Sequence, residues 1–347
     1  MSGTLPVSEV FRGLGSAFPN TDAGINVRNC STRPSLERGC MEKAVLSIVI
    51  GTFNRLDLLR QCLSALIGKV HVEHEIVVVD AGSTDGTIDY LRDLQGVNLL
   101  LDGQRLGQAR SLNRVFKNIK SKYICWLSDD NVVRPGILEL SVSILEKDPR
   151  IGMVALKVKD VKGHNTSLPY IGGFWPSGIL TCNQGLLPTR ILNHLGGFDD
   201  DFRDYGIDAD LTARVLMEGY KVVFTKSIAI HHFRDHASHT WIEGSEREKR
   251  ISAGREYYCH KYKRLIAGKY DKNTGLYQRM LRGIRSFYRW TDSVHLPFRQ
   301  RLNSLIQDWF FAYSARFISA WDSIKNYDRP YHLVQQMPAD LIALLRE

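Results

Sequence analysis

Residues 75–87 read EIVVVDAGSTDGT. Ile76 to Val79 form a short apolar run rich in β-branched side chains, which reads as a strand buried on both faces. The run passes directly into Asp80 and then a turn of Gly, Ser, Thr and Asp. A carboxylate at a strand end can accept hydrogen bonds from the N–H or hydroxyl groups of a ligand such as a nucleoside. The same Asp80 can equally well do no more than cap its turn. On this segment alone both readings stand.

The flanking sequence repeats the pattern. Upstream, LSIVIGTF (46–53) is a second buried strand, and LDLLRQCLSALIG (56–68) is helical, with Leu58, Leu59, Cys62, Leu63 and Leu66 on its apolar side. Downstream, TIDYLRDLQ is a short helix, VNLLLDG a strand, GQARSLNRVFKNIK a helix and YICWL a strand. Strands separated by short helices predict an α/β, doubly wound sheet with its binding loops at the carboxyl ends of the strands. After residue 150 the pattern is mixed. IGMVALKVK (151–159) and KVVFTKSIAIHH (221–232) each read as one strand, with a Pro/Gly/aromatic loop, LPYIGGFWPSG, and two helices between them. The expected organisation is a loosely ordered extension over 1–43, a catalytic α/β domain over 44–245, and a basic region over 246–347 that reads as helical throughout.

Composition sets the outer limits. The chain has 347 residues, 44% apolar and 24% charged, enough to bury a large core. No apolar run approaches the ~18–20 residues that a membrane span needs, and the first residues lack the basic start and apolar stretch of a secretory signal. A cytoplasmic protein is expected. The six cysteines form no CxxC pair, so reduced and mostly buried thiols are expected, with no zinc site or disulfide framework. The net charge of +9 is localised: residues 246–289 hold 13 basic and 4 acidic side chains, while the remainder of the chain is balanced.

The strand ends carry the chemistry. Neither GxGxxG nor GxxxxGK[ST] is present, which argues against a dinucleotide fold or a P-loop. The first strands end instead in Thr52-Phe53-Asn54-Arg55, Asp80-Ala81-Gly82-Ser83 and Asp102-Gly103, and the fourth in Asp129 and Asp130. Adjacent carboxylates repel each other, and burial worsens the repulsion. A hard divalent cation with substrate phosphates would relieve it. The plainer alternative is a solvated turn, SDDNVVRPG.

Six segments in this order, SIVIGTFNR, EIVVVDAGSTDGT, RLGQARSLN, YICWLSDDNVVRPG, GGFDDDFRDYGIDADLTARVLMEGY and SIAIHH, resemble the inverting family 2 glycosyltransferases of the GT-A fold, in the bacterial polysaccharide and glycolipid type. The resemblance covers about residues 44–235. It implies a Rossmann-like mixed sheet flanked by helices, followed here by a C-terminal helical extension. It implies transfer of a sugar from a nucleoside diphosphate-sugar to a hydroxyl of a saccharide or lipid-linked saccharide, with Mg2+ or Mn2+ as cofactor. By the match, Thr52, Asn54 and Arg55 line the nucleotide pocket, Asp80 holds the base, and Arg110 approaches the ribose or diphosphate. Asp129 faces the ribose or the metal, Asp130 coordinates the metal, and His231 is a further metal ligand. Asp208 is the general base, while Asp210 reads as an acid favoured by the helix dipole. The loop from Tyr170 to Trp175 is expected to meet the acceptor. His236 and His239 have no such match. The sequence departs from the family where Ser128 and Asn131 flank the two aspartates and where Ile207 replaces the usual Glu. Those departures keep open a second class of function, a non-catalytic nucleotide- or anion-binding membrane adaptor on a degenerate GT-A scaffold.

Four of the basic side chains within 246–289 lie in amphipathic helical sequence. On a helix, Arg279, Arg282, Arg285 and Arg289 share one side of LYQRMLRGIRSFYRW (276–290), while Leu276, Met280, Ile284 and Phe287 share the other. Docking on the catalytic domain and contact with an anionic membrane surface both fit, the latter placing the protein on the inner face of the cell membrane. Nucleic acid is the least favoured partner. A second aromatic stretch, IQDWFFAYSARFISAW, suits docking or an oligomer.

Overall fold

The computed structural model describes residues 44–162, 169–173, 175–233, 245–266, 330–337 and 339–346. The N-terminal extension, the helical stretches at 276–290 and 306–321, Cys30, Cys40, Phe174, His236 and His239 lie outside the described residues.

Strand β1 (Leu46–Thr52) is flanked by β2 (His74–Asp80) on one side and β4 (Tyr123–Ser128) on the other, both parallel to it, with β3 (Val97–Leu101) beyond β2. The chain builds outward from β1 to β3 and then crosses back to place β4 on the opposite side of β1. That reversal opens a crevice at the carboxyl ends of β1 and β4, where ligands of doubly wound sheets bind. Register aligns Thr52 with Asp80 and Gly51 with Ser128, so the loops singled out from the sequence start from one edge.

Helices α1 (Leu56–Ser64), α2 (Thr87–Asp93) and α3 (Gln108–Phe116) connect these strands. Side chains alternate along β1 as a strand requires. Val49 joins the core cluster with Ala109, Leu112 and Phe116 of α3, whereas Ile48 and Ile50 join the cluster with Leu59, Cys62 and Leu63 of α1. Burying both faces explains the uninterrupted apolar runs of β1, β2 and β4.

Beyond β4 come β5 (Asn131–Val133), α4 (Ile137–Lys147), β6 (Ile151–Ala155), β7 (Val158–Asp160), β8 (Gly185–Pro188), α5 (Thr189–His194), α6 (Ile207–Met217), β9 (Lys221–Thr225) and β10 (Ile230–His232). The two long strands expected at 151–159 and 221–232 are each split. β6 and β9 stay in the main sheet, while β7 and β10 pair with each other and with β5 in a second, three-stranded sheet. The joint is pinned at Lys157. Its backbone N–H donates to Thr225 Oγ1 at 3.1 Å, and its Nζ donates to the Lys226 carbonyl at 2.6 Å, 5.2 Å from the Phe224 ring centroid. Burial brings that amine down to about 8. A polar residue inside an apolar run thus marks where the strand changes sheets.

The described residues past 245 pack onto the same core. Helix α7 (Glu246–Lys261) buries Tyr258, and Tyr262, between α7 and the short α8 (Lys263–Ile266), is also buried. The Tyr258 ring lies 4.8 Å from Trp175, and Tyr257 lies 4.7 Å from Phe202. Strand β11 (Tyr331–Gln335) then adds antiparallel to the edge of β9, and α9 (Ala339–Arg346) follows. The main sheet has eight strands in the order β11-β9-β6-β8-β4-β1-β2-β3, with β8 antiparallel to its neighbours. A strand here corrects the all-helical expectation for this region. Its five residues are supported by an edge that β9 leaves open. Among the described residues no helix is long and apolar enough to cross a membrane. Cys62, Cys125 and Cys182 are buried free thiols, as the sequence suggests, and burial pushes all three thiols up.

Candidate active site

Asp129 and Asp130 sit at the carboxyl end of β4, and both are buried. Two elements compensate their charge. From the end of β1, Thr52 Oγ1 donates to Asp129 Oδ2 at 2.8 Å. Arg55 Nη1 donates to Asp129 Oδ1 at 2.8 Å and to Asp130 Oδ2 at 3.1 Å. From β10, His232 Nε2 lies 3.2 Å from Asp130 Oδ2. Burial raises Asp129 to about 6 despite Arg55. Burial also acts upward on Asp130, but His232 and Arg55 outweigh it and hold that carboxyl below its ordinary value.

His231 is not the histidine at this position. β10 pairs antiparallel with β5, placing His232 opposite Asn131 and His231 opposite Val132. The alternation of the strand turns His231 the other way, toward the charges of Arg134 and Lys159, which together with burial lower its pKa. The imidazole of His232 is held on its far side by Asp160, with Nδ1 to Oδ1 at 2.9 Å, and Tyr170 Oη donates to the same Asp160 oxygen at 2.7 Å. Burial lowers the His232 pKa, but the two carboxylates outweigh it and raise it to about 9. Sequence reasoning missed Asp160, Tyr170 and His232 as a connected set. The signal available was the two-residue period of SIAIHH, which needed the pairing with β5 to set its phase.

The β1 and β2 loops are cross-linked by Asn54, whose N–H donates to Ser83 Oγ at 2.8 Å and whose Oδ1 accepts from the Thr84 N–H at 2.7 Å. Asn54 takes a positive φ of 51°, a region Asn tolerates better than most residues. The two oxygens of Asp80 differ in their surroundings. Oδ1 accepts from the N–H groups of Gly82 and Ser83 at 2.9 and 2.8 Å, which is the turn cap. Oδ2 is buried and has no hydrogen-bond partner among the described residues. An orphaned carboxylate oxygen beside a crevice is the kind of acceptor a ligand N–H can satisfy.

Between these loops lies a cavity of about 570 Å³, a size that suits a nucleotide-sugar. Thr52, Asn54, Arg55 and Asp129 line it. Arg110 does not, because it lies on the exposed side of α3, whereas Gln108 and Ser111 of the same helix face the cavity. The other basic side chains in the lining are Arg105, stacked 4.7 Å from the Phe53 ring centroid, and Arg247 and Arg250 of α7. The last two belong to the region the sequence reading set apart from the catalytic domain.

Asp208 occupies the first turn of α6, behind Gly206 at φ 97°. Burial raises its carboxyl to about 6, against the opposing pull of backbone N–H groups and the Thr181 hydroxyl. Asp210 is more than a helix-terminal acid. It is fully buried, accepts from Arg214 Nε at 2.6 Å and Tyr262 Oη at 2.7 Å, and lies 2.6 Å from Lys261 Nζ. Those contacts tie α7 and α8 to α6. In the expected acceptor loop, Gly172 is pressed against Thr181, where a Cβ would come within 2.2 Å of the carbonyl oxygen.

Among the described residues no three His, Cys, Asp or Glu side chains converge as a ready-made metal centre. The donor chemistry of Asp129 and Asp130 nevertheless suits a hard divalent cation whose remaining ligands come from a diphosphate. His232 Nε2 faces the same Asp130 carboxylate at 3.2 Å and would have to give up its proton to join such a set.

Part of the chain is similar to known proteins. The profile described as "Glycosyl transferase family 2" matches residues 47–194. An uncharacterised glycosyltransferase of Rickettsia prowazekii is 31% identical over 103 residues, 30% of this chain and 32% of that protein. The chondroitin synthase of Pasteurella multocida is 26% identical over 135 residues, 38% of this chain and 14% of that protein. Among solved structures, the mannosyltransferase PcManGT from Pyrobaculum calidifontis in complex with GDP-Man and Mn2+ is 17% identical, with a TM-score of 0.46 over 83% of this chain and 89% of that one. The alignments span about a third or less of the length of the first curated relatives. Residues 47–194, which carry the crevice, Thr52, Arg55, Asp80 and the Asp129–Asp130 pair, match glycosyl transferase family 2.

Proposed function

We propose that the chain moves a sugar from a nucleoside diphosphate-sugar to a hydroxyl acceptor, with inversion at the anomeric carbon. The observation that carries this reading is the buried Asp129–Asp130 pair, anchored by Thr52 and Arg55 beside a cavity of nucleotide-sugar size. Asp80 Oδ2 accepts a hydrogen bond from the donor's base, and Asn54 holds the two nucleotide loops together. Asp208 removes the proton of the acceptor hydroxyl as that oxygen attacks the anomeric carbon, and the bond to the diphosphate oxygen breaks on the opposite face of the sugar. A carboxyl brought to about 6 by burial is ionised at neutral pH yet basic enough for that task. Asp130, with Asp129, would hold Mg2+ or Mn2+, which when bound supplies positive charge to the departing diphosphate. His232, fixed by Asp160 and Tyr170, keeps the Asp130 carboxylate in place. The acceptor class is a saccharide or lipid-linked saccharide, in surface polysaccharide or glycolipid assembly at the inner face of the membrane.

The test begins with thermal shifts in UDP, GDP, dTDP and CDP, with and without Mn2+, to find the donor base. Transfer is then followed as release of that nucleoside diphosphate from its sugar conjugates. Asp208→Asn should keep donor binding and lose transfer by about 10²-fold or more. Unchanged transfer refutes the base assignment, and stabilisation by none of the four nucleotides refutes the donor class.

A further inference from the structure

Helix α7 lies outside the residues that match the family, and its first turns form part of the cavity wall through Arg247 and Arg250. We propose that these two arginines bind the diphosphate of the donor, so that α7 completes the nucleotide site. This rests on the donor reading above.

Charge is the first argument. The cavity is lined by Arg55, Arg105, Arg247 and Arg250 against only Asp129 and Asp204, an excess of two positive charges. Arg55 is committed to Asp129 and Asp130. Charge for an entering diphosphate therefore comes from elsewhere in the lining, and Arg is the side chain whose planar fork matches phosphate oxygens.

Placement is the second. Arg250 donates from Nη1 to Asp204 Oδ2 at 3.1 Å and from Nε to the Glu246 carbonyl at 3.2 Å. Those two contacts fix its stem and engage two of the five N–H donors a guanidinium carries. Arg247 Nε donates to the Tyr205 hydroxyl at 3.2 Å. The Asp204–Tyr205 segment that orients both arginines is itself tied to the cavity, because Asp204 Oδ1 accepts from the Gln108 N–H at 3.0 Å.

Seating is the third. Gly254 lets α7 lie directly on the Tyr205 backbone, where a Cβ would fall 2.3 Å from the carbonyl oxygen. Tyr258, Tyr262 and the Lys261–Asp210 pair hold the remainder of the helix against α6. The arginines are thus presented from a rigid element, so little ordering is needed when an anion arrives.

The experiment is calorimetric titration of the full chain with a nucleoside and its diphosphate, using whichever of uridine/UDP, guanosine/GDP, thymidine/dTDP or cytidine/CDP binds the unsubstituted protein. Arg247→Gln and Arg250→Gln should each weaken diphosphate binding about tenfold or more, the usual effect of removing a charge-assisted bond. Nucleoside affinity should stay the same. Arg250→Lys should recover part of the loss, because it keeps the charge but not the fork. The melting temperature of each unliganded variant is measured alongside. Should a substitution lower it, the ratio of diphosphate to nucleoside affinity still decides the question, since both ligands need the same folded crevice. Variants that keep the full preference for diphosphate over nucleoside overturn this proposal alone. A protein that binds none of the four diphosphates overturns it together with the donor reading.

Discussion

Asp208→Asn removes a charge from a carboxyl that burial raises from an ordinary 3.8 to about 6. A raised acid binds its proton more tightly folded than unfolded, so stability falls as pH rises from about 4 to about 6 and stays lowered above that. The displacement corresponds to roughly 3 kcal/mol of stability at neutral pH. Asparagine carries no charge to desolvate, and its amide oxygen can still accept from Thr181 and the first-turn N–H groups of α6. Asp208→Asn should therefore unfold in urea with up to about 3 kcal/mol more stability than the unsubstituted chain at pH 7.5, less whatever share the half-buried side chain keeps in water. At pH 5 about half of that advantage should remain, and near pH 4 about a fifth. The same variant is the one expected to lose transfer, so a gain in stability would accompany a loss of activity, as expected of a group kept charged in a poor environment for its function. A variant no more stable than the unsubstituted protein at pH 7.5, or a difference that ignores pH, would show that Asp208 is not held in a desolvated site, and the argument for it as a tuned base would fail.

Transfer should rise with pH through a midpoint near 6, because the base must be ionised to accept the acceptor's proton; a flat kcat/KM profile between pH 5 and 8 would contradict this. Asp210→Asn should cost about 1–3 kcal/mol in urea unfolding, since it takes the charge from a fully buried carboxylate that accepts from Arg214 and Tyr262 and lies 2.6 Å from Lys261. Gly254→Ala must move α7 off the Tyr205 carbonyl, at a cost of about 1–3 kcal/mol, and should weaken nucleoside diphosphate binding in calorimetry while leaving nucleoside binding intact.

The α/β core was legible because its signals are local. Continuous apolar runs give β1, β2 and β4, and Gly, Ser, Asn and Asp mark where each one ends, so the crevice and the residues Thr52, Asn54, Arg55, Asp80 and Asp129 could be placed from order alone. What could not be read depends on contacts between distant segments. Splitting the strands at Lys157 and Lys226 requires their mutual hydrogen bond, and only that split fixes the phase that brings His232 rather than His231 to Asp130. Arg110 failed for a related reason: helical periodicity tells which residues share a face of α3, but not which face meets the cavity. Arg247 and Arg250 read only as part of a localised basic excess, because nothing in their own segment announces Asp204 and Tyr205 as the surface on which they rest.

The SDDN run shows how a turn and a site can be one structure. Ser128 donates its N–H to Asn131 Oδ1 at 3.0 Å, and Asn131 Nδ2 approaches Asp130 Oδ1 at 3.3 Å. The two residues that depart from the commoner acidic pattern are therefore the ones that close the turn. A third carboxylate at either place would add negative charge to a buried pair that already needs Arg55 and His232 to exist. Asparagine closes the turn without that charge, and Ser128 contributes only its backbone. The non-standard sequence is thus no sign of decay. It lets two adjacent carboxylates stay buried with a compensating cation on each side, Arg55 spanning both and His232 reaching Asp130 alone. That asymmetry leaves Asp130 the more acidic of the two, and hence the more strongly charged group toward an incoming cation.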